Sequence, residues 1–175
     1  MTDIRLFATD IDGVWTDGSM YYDQTGNELK RFHTYDSAGV LFLRQLDVPV
    51  AIITGEDTEI VRRRAAKLKI PYVYQGIRDK VGTLDALRQE LALDWSQIAY
   101  LGDDINDILL LEKVGLSACP ANAPTYVQTR VDWPLDVRGG DGAFRAFVER
   151  YLTEKGLLDQ CLEQYLHHHQ QKLNQ

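Results

Sequence analysis

Two aspartates, Asp10 and Asp12, stand two positions apart where an apolar run gives way to a glycine-containing turn, in the stretch LFATDIDGVWTDG. Carboxylates paired in this way can divide one reaction between them: one attacks an electrophile, and the other, held near by the turn, moves protons. Polar residues follow other apolar runs in the same manner. Thr54-Gly55 follows residues 48–53, and Gly102-Asp103-Asp104-Ile105-Asn106-Asp107 follows residues 98–101. Lys80 opens the helical segment after residues 72–74. Several carboxylates with no His or Cys at ligand spacing suit a hard, oxygen-preferring cation, of which Mg²⁺ is the usual one. A carboxylate beside such an ion can attack phosphorus and form an aspartyl-phosphate. The cation and Lys80 would offset the repulsion between carboxylate and phosphate dianion and stabilise charge on the transferring oxygens. The second carboxylate would protonate the leaving alkoxide and then activate water.

Residues this far apart in sequence meet only if the fold gathers them. Strand-like apolar runs occupy residues 4–8, 48–53, 72–74, 98–101 and 116–118, with a weaker one at 133–135. Helical patterns lie between most of them. Residues 57–68 carry Ile60, Val61, Ala65 and Leu68 on one side, and residues 80–93 carry Val81, Leu84, Leu87 and Leu91. Residues 105–114 and 144–152 also read as helical. Strands alternating with helices predict an α/β, Rossmann-like parallel sheet with helices on both faces. Ligands of such sheets bind at the carboxyl ends of the strands, the edge where all four polar groups would fall. Residues 20–32, MYYDQTGNELKRF, break the alternation: β-formers flank the turn cluster Gln24-Thr25-Gly26-Asn27, which predicts a projecting β-hairpin. The expected organisation is one domain over residues 1–155, hairpin included. A helix and polar tail follow over residues 156–175, with Leu158, Cys161, Leu162 and Tyr165 at helical spacing and polar residues from His167.

The whole chain bounds the function. Its 175 residues suffice for a core without covalent staples, and 45% hydrophobic with 26% charged residues is ordinary for a globular protein. A net charge of -7 opposes general nucleic-acid binding but leaves room for a small anion met by a local basic cluster. Cys119 and Cys161, with no companion ligands, read as packing residues. No basic-then-apolar leader and no apolar run near the roughly 20 residues of a membrane span are visible, so a cytoplasmic location is expected.

At Asp10-Ile11-Asp12-Gly13, Thr54-Gly55, Lys80 and Gly102-Asp103-Asp104-Ile105-Asn106-Asp107 the chain resembles, in order, the four motifs of the haloacid dehalogenase-like phosphohydrolases. The resemblance covers about residues 4–150. It implies Asp10 as nucleophile and Asp12 as general acid/base. A metal would be held by Asp10, the Asp12 backbone carbonyl and Asp103, with Asp107 behind. Thr54 and Gly55 would bind phosphate, and Lys80 would pair with phosphate and Asp10. Taken singly, each motif has a plainer reading: Asp103 or Asp57 as a helix cap, Thr54-Gly55 as a turn, Lys80 as a surface lysine.

Neither gap between the motifs has room for a cap domain, so the monomer's site is expected to be open. The segment WTDGSMYYDQTGNELKRFHTYDSAG and the ending Arg138-Gly139-Gly140-Asp141-Gly142-Ala143-Phe144-Arg145 resemble the capless phosphatases acting on 3-deoxy-D-manno-octulosonate 8-phosphate and related sugar acids. That resemblance implies a homotetramer assembled through the hairpins, each site helped closed by a neighbour. TGEDTEIVRRRAAKLK, with Glu56 after Thr-Gly and with Arg64 and Lys67, is more similar to the branch acting on 2-keto-3-deoxynononate 9-phosphate. Glu56 would accept from sugar hydroxyls, and Arg64, Lys67, Arg78 and Lys80 are candidates for the local positive charge. A solvated helix face, with Arg62, Arg63, Arg64 and Lys67 paired to Glu59, is the plainer alternative. His33, where the hairpin returns toward the site, reads either as a site residue or, as a lone His more often is, as a structural or surface one; the run His167–His169 receives no catalytic role. Three rival classes remain: a phosphoprotein or nucleotide phosphatase acting as an open-site monomer, a receiver-like phosphoacceptor, and an inactive scaffold. A receiver carries its acidic pair after the first strand and its phosphorylated Asp after a later one. Here Thr54 follows the second clear core strand and a second acidic cluster the fourth, an order that fits a hydrolase.

Overall fold

The computed structural model describes residues 3–173. In chain order the elements are β1 (Leu6–Thr9), the hairpin strands β2 (Tyr21–Tyr22) and β3 (Glu28–Leu29), α1 (Asp36–Gln45), β4 (Val50–Ile53), α2 (Glu59–Leu68), β5 (Tyr72–Tyr74), α3 (Lys80–Glu90) and β6 (Ile98–Leu101). They continue with α4 (Ile108–Leu111), β7 (Leu116–Cys119), α5 (Thr125–Gln128), β8 (Trp133–Pro134), α6 (Ala143–Glu154) and α7 (Leu158–Leu173). The main sheet has six strands in the order β5-β4-β1-β6-β7-β8, every pair parallel. β1 is therefore the switch point: the chain runs outward through β4 and β5, then returns to its other side as β6. A crevice opens at the carboxyl end of such a strand.

Period-2 alternation divides the core between two faces. Phe7, Val50, Ile52, Ala99 and Leu101 point to one side, where Val40, Leu43, Val61, Phe144 and Phe147 meet them. Leu6, Ala8, Ala51, Ile53, Ile98 and Tyr100 point to the other, against Leu84, Leu87, Leu110, Leu111 and Val127. Both faces are covered, which is why the strands read as nearly continuous apolar runs.

Local chemistry sets the helix ends that matter. The Thr58 side chain accepts from Val61 N and starts α2, which stops at Lys69 in the left-handed region (φ 54°). Asp79 accepts from Gly82 N at 2.8 Å and starts α3, so that Lys80 is its first residue. The stretch expected as one helix over 105–114 is instead a 3₁₀ turn, Ile105–Asp107, followed by the four-residue α4. The cause is Asp107, whose Oδ2 accepts from Asp103 N (3.0 Å) and Asp104 N (3.2 Å) and folds the chain back tightly.

The hairpin forms as expected, but its aromatic residues divide. Tyr21 and Tyr22 are exposed, whereas Phe32 packs on the core. Cys119 and Cys161 are both free and buried. The tail beyond Gly156 (φ 68°) is the helix α7, with Cys161 turned inward. The side chains of His168 and His169 lie outside the described residues. Among the described residues no helix is long and apolar enough to cross a membrane.

Candidate active site

Asp10 leaves the end of β1 and is buried by the turn that follows. That turn is pinned from beneath. Trp15 is buried, donates from Nε1 to Thr9 Oγ1 at 3.1 Å, and stacks on Phe144 with ring centroids 4.7 Å apart. Gly13 has φ +80°, and a Cβ there would lie 1.9 Å from Asp103 Oδ2. Only glycine allows both the backbone angle and the approach of the second acidic cluster.

Asp10 Oδ1 accepts from Ile11 N at 2.7 Å, and Oδ2 accepts from Lys80 Nζ at 2.7 Å. Lys80 Nζ also donates to Asp107 Oδ1 at 2.7 Å, and the hydroxyl of Tyr100, inside β6, donates to that oxygen at 2.5 Å. With two donors on each oxygen, the lone pairs of Asp107 are fully used. Asp107 is a fixed support, although it lies within 4.8 Å of Asp10 and Asp103. Asp10 keeps acceptor capacity on both oxygens, and Asp103 Oδ1 is buried with no hydrogen-bond partner among the described residues.

The electrostatics point the same way. Burial, with Asp107 adding to it and Lys80 opposing, pushes the Asp10 carboxyl up to about 6. Burial and the charges of Asp10, Asp107 and Asp104 push Asp103 up to about 8. Burial would lower the Lys80 pKa, but Asp10 and Asp107 outweigh it and raise it above the ordinary lysine value. One ammonium among these carboxylates leaves the centre short of positive charge. An all-oxygen donor set with an orphaned carboxylate oxygen fits a hard divalent cation.

Asp12 differs from Asp10. Its Oδ1 accepts from Lys30 Nζ at 2.7 Å and from Thr16 Oγ1 at 3.4 Å, while Oδ2 is buried and has no hydrogen-bond partner among the described residues. Both aspartates line a cleft of about 320 Å³. Thr54, Gly55 and Glu56 form one wall, Asp103, Asp104 and Asn106 another, and Met20 of the hairpin region stands at the rim. A larger cavity, about 470 Å³, opens at the amino ends of the strands around Ile4, Arg5, Val48 and Tyr151; its carboxylates, Asp3 and Asp47, are not part of the acidic cluster of Asp10, Asp103 and Asp107.

The structure thus brings Asp10, Asp12, Thr54, Gly55, Glu56, Asp103 and, through Asp10, Lys80 and Asp107 to one place. It does not bring Arg64 and Lys67 there. They line a neighbouring cavity of about 440 Å³ with Lys30, Phe32 and Arg63, and Arg64 Nη2 donates to the His33 carbonyl at 3.1 Å. Arg78 is exposed and lines neither cavity. Arg62 pairs with Asp57 and Glu59, as a solvated helix face would. His33 Nδ1 accepts from Tyr35 N at 3.2 Å, a local turn contact. Sequence reasoning missed Tyr100, which looks like any strand aromatic, and Lys30. The signal for Lys30 was alternation, since its neighbour Leu29 faces out.

A crevice at the switch point of a parallel sheet, holding a clamped carboxylate, a second carboxylate with a bare oxygen and a demand for a cation, defines a phosphoryl-transfer hydrolase of the doubly wound α/β class. Residues 72–147 match the haloacid dehalogenase-like hydrolase family. The 3-deoxy-D-manno-octulosonate 8-phosphate phosphatase of Escherichia coli K12 is 39% identical over 158 residues, covering 90% of this chain and 84% of that protein. A probable YrbI family phosphatase from Pseudomonas syringae superposes with a TM-score of 0.90 at 42% identity, covering 93% of each chain. The 3-deoxy-D-manno-octulosonate 8-phosphate phosphatase of Moraxella catarrhalis, solved with magnesium, phosphate and KDO, gives 0.89 at 33% identity, again over 93% of each. The chain belongs to the haloacid dehalogenase-like hydrolases, in the family of these phosphatases, and is a phosphoric monoester hydrolase.

Proposed function

We propose that this enzyme hydrolyses the phosphate ester of a 2-keto-3-deoxy sugar acid through an aspartyl-phosphate on Asp10, with Mg²⁺ as its cation. The observation that carries the reading is the contrast between the two aspartates. Asp10 is clamped by Lys80 and Ile11 N, whereas Asp12, in the same cleft, has an oxygen with no hydrogen-bond partner among the described residues. Asp10, the Asp12 carbonyl and Asp103 would hold the cation, which when bound neutralises phosphate charge. Asp10 attacks phosphorus, the ester P–O bond breaks, and its electron pair goes to the leaving oxygen with a proton from Asp12. Water then gives its proton to Asp12 and attacks phosphorus. The P–O bond to Asp10 breaks, the carboxylate is restored and inorganic phosphate leaves. Thr54, Gly55 and Lys80 bind the phosphate oxygens.

The relatives' named substrate makes 3-deoxy-D-manno-octulosonate 8-phosphate the first candidate. Glu56 on the cleft wall favours a second, 2-keto-3-deoxynononate 9-phosphate, because a carboxylate there accepts from the hydroxyls of a longer chain. Arg64 and Lys67 line a different cavity of their own chain and would meet a sugar acid only across a subunit contact. The proposed enzyme works in the cytoplasm as a homotetramer, and the exposed Met20, Tyr21, Tyr22 and Leu29 support the hairpin as its contact surface.

Phosphate release from both sugar-acid phosphates, with Mg²⁺ and with chelator, tests the reading. Metal-dependent release from either supports it, and the faster substrate decides the chain length. No metal-dependent release from either removes the sugar-acid reading.

A further inference from the structure

Lys30 follows β3 at the base of a hairpin whose Tyr22 and Leu29 are 69% and 67% exposed, yet its own side chain is only 1% exposed. A buried ammonium must be paired, and breaking such a pair is costly. Lys30 Nζ lies 2.7 Å from Asp12 Oδ1 and 3.5 Å from Glu28 Oε1. The geometry at Asp12 is lopsided. Lys30 and Thr16 both donate to Oδ1, and Oδ2, also buried, accepts from nothing among the described residues. An ion pair serving stability alone would use both oxygens or leave the spare one in water, because a bare buried oxygen is costly. Here the spare oxygen belongs to a residue that lines the carboxylate cleft. The two oxygens of a carboxylate are chemically equivalent until something distinguishes them, and Lys30 does so.

We infer that Lys30 is a positioning residue: from the hairpin base it fixes Asp12 Oδ1, so that Oδ2 is presented to the oxygen of the leaving alcohol. The inference rests on the phosphatase reading above and assigns the hairpin base a part in the proton transfers. It acts in the first half-reaction, when the ester P–O bond breaks and the alkoxide takes its proton from Oδ2. It acts again when water returns a proton to that atom. An alkoxide cannot leave without the proton, whereas a nitrophenolate can. Loss of Lys30 should therefore discriminate between leaving groups, which a general loss of structure would not do.

The experiment compares wild type, Lys30→Met and Lys30→Arg by rapid-quench first-turnover kinetics on two esters. One is whichever sugar-acid phosphate the wild type turns over better, and the other is p-nitrophenyl phosphate. Melting temperatures serve as the check on folding. Lys30→Met is expected to slow the alkyl ester's first turnover about 100-fold or more with KM little changed, the scale of a lost general acid. Its p-nitrophenol burst should stay within a few fold of wild type, and Lys30→Arg should recover part of the alkyl rate. Equal losses on both esters, a rise in KM with kcat unchanged, or no effect would each overturn the inference. If Lys30→Met does not fold, Lys30→Gln, which keeps a donor of shorter reach, is read by the same criteria. A wild type inactive on both esters would instead bring down the phosphatase reading itself, and the failing sample tells the two apart.

Discussion

Asp107 spends its acceptor capacity entirely on Lys80, Tyr100 and two backbone amides, which makes it the fixed post against which Lys80 leans toward Asp10. The residue-scale predictions follow from that chain of bonds. Asp10→Asn should abolish phosphate release in a steady-state assay while leaving the circular dichroism spectrum and melting point near wild type. An amide keeps the shape and a contact to Lys80 but lacks the nucleophilic charge, so substantial residual turnover would remove Asp10 from that role. Lys80→Met leaves Asp10, Asp103 and Asp107, whose oxygens lie within 4.8 Å of one another, without their cation. It should cost about 3–5 kcal/mol in urea denaturation, the usual penalty for stranding a buried charge. Added Mg²⁺ should restore part of that stability but not the turnover. Wild type should respond to the same ion: at about 100 times its dissociation constant, a cation bound only by the native state adds about 2.7 kcal/mol. Chelator should therefore lower the melting temperature, and a melting temperature indifferent to chelator and Mg²⁺ would contradict a metal centre here.

Between elements, the most informative contact is Asp36. It sits in the first turn of α1, and its Oδ1 accepts from Arg145 N, in the first turn of α6, at 3.1 Å. Gly142 opens α6 and has no side chain to cap it, so the cap comes from another helix. Burial is the main cause that pushes the Asp36 carboxyl from 3.8 up to about 6. The folded chain therefore binds this proton more tightly than the unfolded chain does. Asp36 lowers stability as pH rises from 3.8 to 6, and the cost, up to about 3 kcal/mol, is complete above that window. Asp36→Asn should accordingly compare better with wild type at pH 7 than at pH 4.5 when urea midpoints are measured at both. A difference that does not vary with pH would refute the assignment. Elements of this kind were only partly legible in the sequence. The β1, β4 and β6 runs and the α3 stripe could be read because each buries a full face or a regular side. The turn at Asp107 could not, because a side chain taking two backbone amides overrides the apolar pattern of residues 105–114. At the site, Asp10, Asp12, Thr54 and Asp103 were legible because strand ends on a parallel sheet converge. Tyr100 and Lys30 were hidden because alternation gives the side each faces but not the partner it meets, Asp107 for one and Asp12 for the other.

For the whole molecule, the proposed assembly turns on the hairpin. Two strands of two residues each are too small to hold themselves together in water, and this pair exposes Tyr22 and Leu29 outward. Tyr22→Lys combined with Leu29→Lys should convert the proposed assembly to a monomer in light scattering. Wild type that is already monomeric at micromolar concentration would favour the open-site monomer instead. A different consequence lies in Gly139, where a Cβ would come within 1.8 Å of the Gly13 carbonyl. The turn that carries Asp10 and Asp12 thus rests on backbone made more than a hundred residues later, and Trp15 stacks on Phe144, later still. β1 itself lies between β4 and β6 and finds its second neighbour only once residues 98–101 exist. During synthesis Asp10 and Asp12, among the earliest residues to leave the ribosome, are therefore among the last to be set in place. A nascent chain stalled before Gly139 would display the motif without the support that makes it an active site.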